Sequence, residues 1–182
     1  MRRVPGGKQA SLMLRRDETK DGKSPHVPFA LNDVKELERK SRAIADAAFL
    51  EFRGATPAPI QDGDRIYPIR IAMVSGNFFD VLESSADMGR TLRPDDDIAG
   101  AAPVAVLSHR AWLMQFGGDS TIVGRSIKMI YGGRRYTIVG VMPQGLEYPH
   151  GTELWVPLVA YGTAGGFLNV LTGELDVLAR LR

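Results

Sequence analysis

SIKMIYGGRRYTIVGVM, residues 126–142, decides the fold class. Its two runs alternate apolar and polar residues with period two, and Gly132-Gly133 between them suits a tight turn. With those glycines as a two-residue turn, Tyr131 pairs with Arg134, Met129 with Tyr136 and Ile127 with Ile138, all on one face. Lys128, Ile130, Arg135 and Thr137 fall on the other. A one-residue slip would mix the two sets, so the pattern predicts an antiparallel hairpin with one apolar face.

Working outward, PVAVL (103–107) predicts a strand that feeds a short helix. Ser108 caps that helix, Leu107 is set to pack on Trp112, and Gly117-Gly118 ends it in a left-handed stop. Val74-Ser75-Gly76-Asn77-Phe78-Phe79 carries the same start signal, with Ser75 as cap. ELWVPL (153–158) reads as a strand. Asp62-Gly63 reads as a two-residue turn before IYPIRIAMV (66–74), whose Tyr67, Ile69, Ile71 and Met73 share a face. Pro68 has no N–H and places that strand at an edge or a bulge.

Towards the N-terminus, Leu12-Met13-Leu14 predicts a first strand and residues 17–26 an exposed loop. Residues 32–48 predict a helix capped by Asn32, with Val34, Leu37, Ser41, Ile44 and Ala48 as its inward stripe. FLEF (49–52) then reads as a strand. AYGTAGG (160–166) reads as a flexible connection. Leu175, Val177, Ala179 and Leu181 alternate as a last strand, a pattern that suggests a chain cut from something longer.

Composition agrees with a small α+β domain. The chain has 182 residues, 44% hydrophobic and 24% charged, enough for one domain or one domain of two small lobes. Twenty glycines and eleven prolines are too many for a helical bundle. The absence of cysteine excludes a disulfide scaffold, a thiolate zinc site and a cysteine nucleophile. Twenty-three basic and 21 acidic residues leave a net charge of +2, a weak footprint for nucleic acid. No apolar run approaches the roughly 18 residues of a membrane helix, and the N-terminus lacks the apolar core of a signal peptide.

Each motif with chemical potential has a plainer reading. His26, His109 and His150 are isolated from one another and from carboxylates at helix spacing, so they point to no metal. Asp95-Asp96-Asp97 lacks the spacing of a calcium loop and reads as a solvated turn or a helix cap. Ser108 and His109 are adjacent on a helix and diverge by about 100°, which prevents nucleophile–base pairing. Neither G-x-x-x-x-G-K-[ST] nor G-x-G-x-x-G occurs, so no phosphate cradle is signalled. The basic pairs in MRR, LRR and GRR are scattered among acids. Phe78, Phe79, Trp112, Tyr136 and Trp155 are assigned to the core. No catalytic, cofactor-binding or metal-ligating residue is assigned, and no cofactor.

Five blocks in order then carry a resemblance: VSGNFFDVL (74–82), GRTLRPDDD (89–97), PVAVLSHRAWLMQFGGD (103–119), VGRSIKMIYGGRRYTIVGVMPQG (123–145) and ELWVPL (153–158). Together they resemble the MacB-like periplasmic core domain of FtsX-type ABC transporter permeases, of the orphan type abundant in acidobacteria. Weaker similarity covers 27–49 and 175–182. The resemblance implies an extracytoplasmic α+β domain spanning 1–182, with a porter-like lobe from about 8–55 and 170–182 and a β-rich insertion lobe with short helices from about 56–169. It implies a non-catalytic part of an efflux or lipoprotein- or lipid-handling transporter, transmitting ATP-driven motion across the bacterial inner membrane. The partners it implies are the permease's membrane helices, a separate cytoplasmic ABC ATPase, a periplasmic partner protein and a second copy in a homodimer, with no nucleic acid. A free-standing extracytoplasmic binding module is the alternative. The family usually carries a Gly-Val-x-Pro-like turn before Gly89-Arg90; here Glu83-Ser84-Ser85-Ala86-Asp87-Met88 intervenes. The family also continues beyond Arg-Leu with a Pro-Gly turn and a helix, where this sequence stops at Arg182.

Overall fold

The computed structural model describes residues 11–14, 44–52, 57–159 and 176–181. The loop expected at 17–26, residues 32–43 of the helix expected over 32–48, and the connection at 160–166 lie outside them. Among the described residues, eleven strands form one mixed sheet: β1 (Ser11–Leu14), β2 (Ile44–Phe52), β3 (Ala58–Asp62), β4 (Arg65–Ile69), β5 (Ile71–Val74), β6 (Met88–Gly89), β7 (Val104–Leu107), β8 (Ser126–Met129), β9 (Arg135–Val141), β10 (Leu154–Pro157) and β11 (Asp176–Leu181). The described residues also form helices α1 (Phe78–Val81) and α2 (His109–Phe116) and a 3₁₀ turn (Pro94–Asp96). The α+β class is as expected.

The strand order is β1-β11-β2-β5-β10-β7-β9-β8-β3-β4, with β6 added beside β9. One covalent fact bends this sheet. Only Arg70 separates β4 from β5, yet β4 lies six strands from β5 along the order. Laid flat, that would be about 29 Å at ~4.8 Å per strand. Ile69 and Ile71 are two residues apart and span at most about 7 Å. The sheet must therefore curl until its β4 end returns to β5.

Curling gives each face its own core. One cluster gathers Ile60, Tyr67, Ile69, Leu107, Ile127, Met129, Tyr136, Ile138, Leu154 and Val156, with Ala111 and Phe116 from α2. The other gathers Val74, Phe78, Phe79, Leu92, Met142, Trp155 and Leu178 on the α1 side. Strand neighbours such as Trp155 and Val156 go to opposite clusters, as a period of two requires.

The hairpin of residues 126–142 forms with the expected faces but a different register. Ile127 pairs with Tyr136 and Lys128 with Arg135, and the Met129 N–H donates to the Arg134 carbonyl at 2.9 Å. The loop is therefore Ile130–Gly133, four residues rather than two. The slip is two residues, which leaves the side chains of both strands on their expected faces; hydrophobic patterning alone cannot distinguish registers two apart. Tyr131 moves from the apolar face into the loop and is 64% exposed.

The turn between β3 and β4 is Gly63-Asp64, one residue later than expected, because Asp62 pairs with Arg65. The strand expected at 66–74 exists as β4 and β5, broken at Arg70. Its face holds: Tyr67, Ile69 and Met73 are buried in one cluster, with Ile71 packed against it. Pro68 sits on the outermost strand, as its missing N–H demands. Residues 44–48 are strand, not the end of a helix. β2 is bonded to β11 on one side and to β5 on the other, and it sends Ala47 and Phe49 to one cluster and Ala48 and Leu50 to the other. The β11 ladder along residues 44–50, joined by β5 at Leu50–Phe52, outweighs the helix preference of its alanines.

α2 starts and stops as its sequence demands. The Ala111 N–H donates to the Ser108 hydroxyl at 3.1 Å, and Gly117 closes the helix at φ 64°. α1 differs: Asn77 occupies its cap position without a side-chain cap bond. β6 and β9 meet at Gly89 and Gly140, and a Cβ on Gly140 would collide with the Arg90 carbonyl.

Candidate functional site

The polar groups that the sequence blocks bring together form a latch around residues 75–77. The Ser75 hydroxyl accepts from the Phe49 N–H at 2.9 Å and donates to Asn77 Oδ1 at 2.8 Å. The Asn77 amide donates to the Ala47 carbonyl at 2.8 Å and to Asp46 Oδ1 at 3.2 Å. Ser75 is thus no helix cap, because its oxygen is engaged by β2. On the other side, the Gly76 N–H donates to Asp97 Oδ2 at 3.2 Å, and the Val159 N–H to Asp97 Oδ1 at 2.6 Å. Ser75, Asn77 and Asp97 therefore join β2, α1, the 3₁₀ turn and the segment leaving β10. A side chain at Gly76 would collide with the Arg93 carbonyl, so only glycine allows this approach.

The acidic run divides its work. Asp96 takes both terminal nitrogens of Arg90, at 2.6 and 2.9 Å, and accepts the Arg93 N–H at 2.8 Å. Burial alone would raise the Asp96 pKa; the Arg90 guanidinium and the Arg93 amide overcome it and hold the carboxyl below its ordinary value. Asp97 spends its two oxygens on backbone amides, and Asp95 is exposed. The run thus takes the helix-cap and turn role expected of it. Among the described residues, no three His, Asp or Glu side chains converge as ligands.

Ser108 is fully buried and its hydroxyl serves the helix cap, while the His109 ring packs edge-on against Trp112 at 5.2 Å. The structure does not bring them together as nucleophile and base. His150 is exposed, and His26 lies outside the described residues. Trp155 is a core anchor: fully buried, edge-on to Phe79 at 5.5 Å, with its indole N–H on the Tyr148 carbonyl at 2.9 Å. Phe78, Phe79 and Tyr136 are buried as expected. Trp112 is only half-buried, and its indole N–H donates to the Asp119 carbonyl at 2.9 Å. It flanks the core instead of anchoring it, because α2 lies across the curled sheet and turns Ala111 and Phe116 inward.

A second polar group holds the β3–β4 hairpin. Arg125 reaches Asp62 and Asp119, each at 3.4 Å. Beside it the Tyr67 phenol is buried without a hydrogen bond; that burial first, and the nearby Asp62 charge second, push its pKa well above the ordinary value. Sequence reasoning missed the latch and Glu153, whose carboxylate binds the Arg70 N–H at 2.9 Å. A lone acid opening the otherwise apolar strand ELWVPL was the available signal for Glu153. Nothing local marked Asp46 and Asn77 as partners, because 31 residues separate them.

A curled mixed sheet with a helix on each face, held by polar latches, defines an α+β domain in architecture. The fold is shared with transporter domains. The chain has a TM-score of 0.68 to the periplasmic region of MacB from Actinobacillus actinomycetemcomitans, at 19% identity over 96% of this chain and 75% of that one. It has a TM-score of 0.62 to the extracellular domain of the noncanonic ABC-type transporter YknZ from Gram-positive bacteria, at 16% identity over 85% and 74%. No curated protein sequence matches the chain. The family model for the MacB-like periplasmic core domain matches residues 4–181. The chain belongs to that family, and it is the extracytoplasmic domain of an ABC-type transporter permease. Among the described residues, no helix is long and apolar enough to cross a membrane.

Proposed function

We propose that this domain does no chemistry and transmits ATP-driven motion of its permease to a partner or substrate outside the membrane, in efflux or in lipoprotein or lipid handling of the FtsX-like kind. The observation that carries this is the latch: Ser75, Asn77 and Asp97 tie β2 to α1, the 3₁₀ turn and the exit from β10 by side-chain bonds of 2.6–3.2 Å. β1, β11 and β2 come from the two ends of the chain, the ends that adjoin membrane helices in a permease of this family. Displacement entering there passes through the latch into the middle of the sheet as a rigid-body movement. The division into a porter-like lobe (8–55 and 170–182) and a β-rich lobe (56–169) belongs to this reading. So do the cytoplasmic ATPase, the homodimer and a periplasmic partner. No catalytic, cofactor or metal residue is assigned among the described residues, and in this reading the domain's work is mechanical.

The DNA flanking this reading frame tests the membrane part. One apolar run of roughly 18 or more residues before the domain and about three after it support a permease. Stop codons without such runs leave a free-standing binding module. In the reconstituted permease with its ATPase, Asn77→Ala tests transmission: ATP hydrolysis persists while the outer response is lost. A full outer response in that variant overturns it.

A further inference from the structure

The open face of the β4–β3–β8–β9 arm carries a charge arrangement that the fold does not need. Lys128 lies directly opposite Arg135. Backbone bonds fall on the adjoining pair, Met129 N–H to the Arg134 carbonyl, and three positions the other way, Ile138 N–H to the Arg125 carbonyl. By alternation, Lys128 and Arg135 form a pair without backbone bonds, the kind whose Cα atoms lie closest, at about 4.5 Å. Like charges placed so destabilise a ladder. Neither cation has an acidic partner or a side-chain hydrogen bond among the described residues.

The row continues without an acid. Gln61 is opposite Lys128, and Ile66, 63% exposed, is opposite Gln61. The neighbouring row holds Pro68, Pro59 and Ile130, the last joined to β3 by its N–H on the Pro59 carbonyl. Ser126 and Thr137 flank the cations on the other side and are exposed. The surface is an antiparallel sheet face with two adjacent uncompensated cations beside exposed aliphatic residues.

We propose that this face, centred on Lys128 and Arg135, docks an acidic, partly apolar segment of a partner protein. The partner's carboxylates relieve the repulsion that the free domain carries, and its apolar residues cover Ile66 and Ile130. Charge complementarity of this kind sets specificity and association rate. The inference rests on the reading of the domain as the part of a permease that meets a partner outside the membrane.

The test titrates the full chain into a fluorescent peptide of alternating Glu and Leu at low ionic strength. Binding is expected to saturate, to weaken by at least about tenfold in Lys128→Glu, and to stay unchanged in Arg110→Glu on the exposed side of α2. The same Lys128→Glu protein is expected to melt at a higher temperature, because it converts a like-charge pair into an opposite one. No binding, or equal binding by Lys128→Glu, overturns the proposal. So does binding only to phosphatidylglycerol vesicles, which assigns the cations to lipid, or self-association abolished by the same substitution, which assigns the face to a second copy. A lower melting temperature for Lys128→Glu overturns the repulsion argument. None of these outcomes bears on whether membrane spans flank the domain, so failure here and failure of the permease reading are separable.

Discussion

The Glu153 carboxylate accepts the Arg70 N–H at 2.9 Å, while the Glu153 and Leu154 N–H groups both donate to the Arg70 carbonyl, at 2.9 and 3.0 Å. Arg70 is the residue at which one long strand leaves the β3–β4 hairpin and enters the centre of the sheet. The bend leaves its N–H without a ladder partner, and Glu153 satisfies it. Glu153→Ala leaves a poorly accessible N–H without an acceptor, and the expected loss is about 1–3 kcal/mol by urea unfolding. Glu153→Gln keeps an acceptor oxygen and costs about 1 kcal/mol or less. Arg70→Ala is milder still, because its guanidinium is 3.8 Å from Glu153 and 38% exposed. Equal losses in all three variants would show that the peptide bond is not the source.

Ser108→Ala tests capping against catalysis. The hydroxyl accepts the Ala111 N–H and is fully buried, so its removal costs about 1 kcal/mol, whereas Ser108→Gly costs only a few tenths. The measurement is thermal unfolding of both variants. A stability unchanged in Ser108→Ala would remove the capping role.

The two tryptophans separate by burial. Trp155→Ala empties a fully buried site and is expected to cost about 3–5 kcal/mol. Trp112→Ala removes a half-buried ring and one bond to a carbonyl, and its expected loss is roughly half as large. Chemical denaturation of each variant reads this directly, and a Trp112→Ala loss as large as that of Trp155→Ala would return Trp112 to the core.

These contrasts show what local sequence encodes. Faces were legible: the alternation in 126–129 and 135–138 put Ile127, Met129, Tyr136 and Ile138 inward, and they are inward. Capping at Ser108 and termination at Gly117 were legible because all their partners lie within one or two helical turns. Register was not, since a shift of two residues changes no face. The conformation of Ile44–Ala48 was not either, because β11 fixes it from more than 120 residues away. The latch escaped for the same reason: Ser75 carries a cap signal indistinguishable from that of Ser108, and only the approach of Phe49 decides what its hydroxyl bonds.

The Arg90–Asp96 pair links stability to pH. Asp96 has its pKa depressed in the folded state, against the pull of its own burial. Its contribution is therefore complete above the ordinary carboxylate range and is lost as pH falls through the lower folded value. Asp96→Asn removes that contribution. The melting-temperature gap between wild type and Asp96→Asn is expected to be widest near neutral pH and to close on acidification below about pH 4. A gap independent of pH would mean that Asp96 acts through shape alone.

Pro68 guards the outer edge of the sheet. It lies opposite Pro59, and residues facing one another in an antiparallel ladder either exchange both backbone bonds or none. Two prolines have no N–H to exchange, so theirs is the pair without bonds, and the backbone of residue 68 points away from β3 towards the open edge. The only other residue of β4 so directed is Ile66, because the pairs of Arg65, Tyr67 and Ile69 bond inward to β3. Ile66 thus supplies the one outward donor, too few for another strand to add. Pro68→Val restores a second donor on a β-branched residue and leaves the inward bonds intact. Its fold is expected to survive with little change in melting temperature, while sedimentation velocity at rising concentration shows association that the wild-type edge does not add. Profiles that coincide with wild type at every concentration would mean that something other than proline closes this edge.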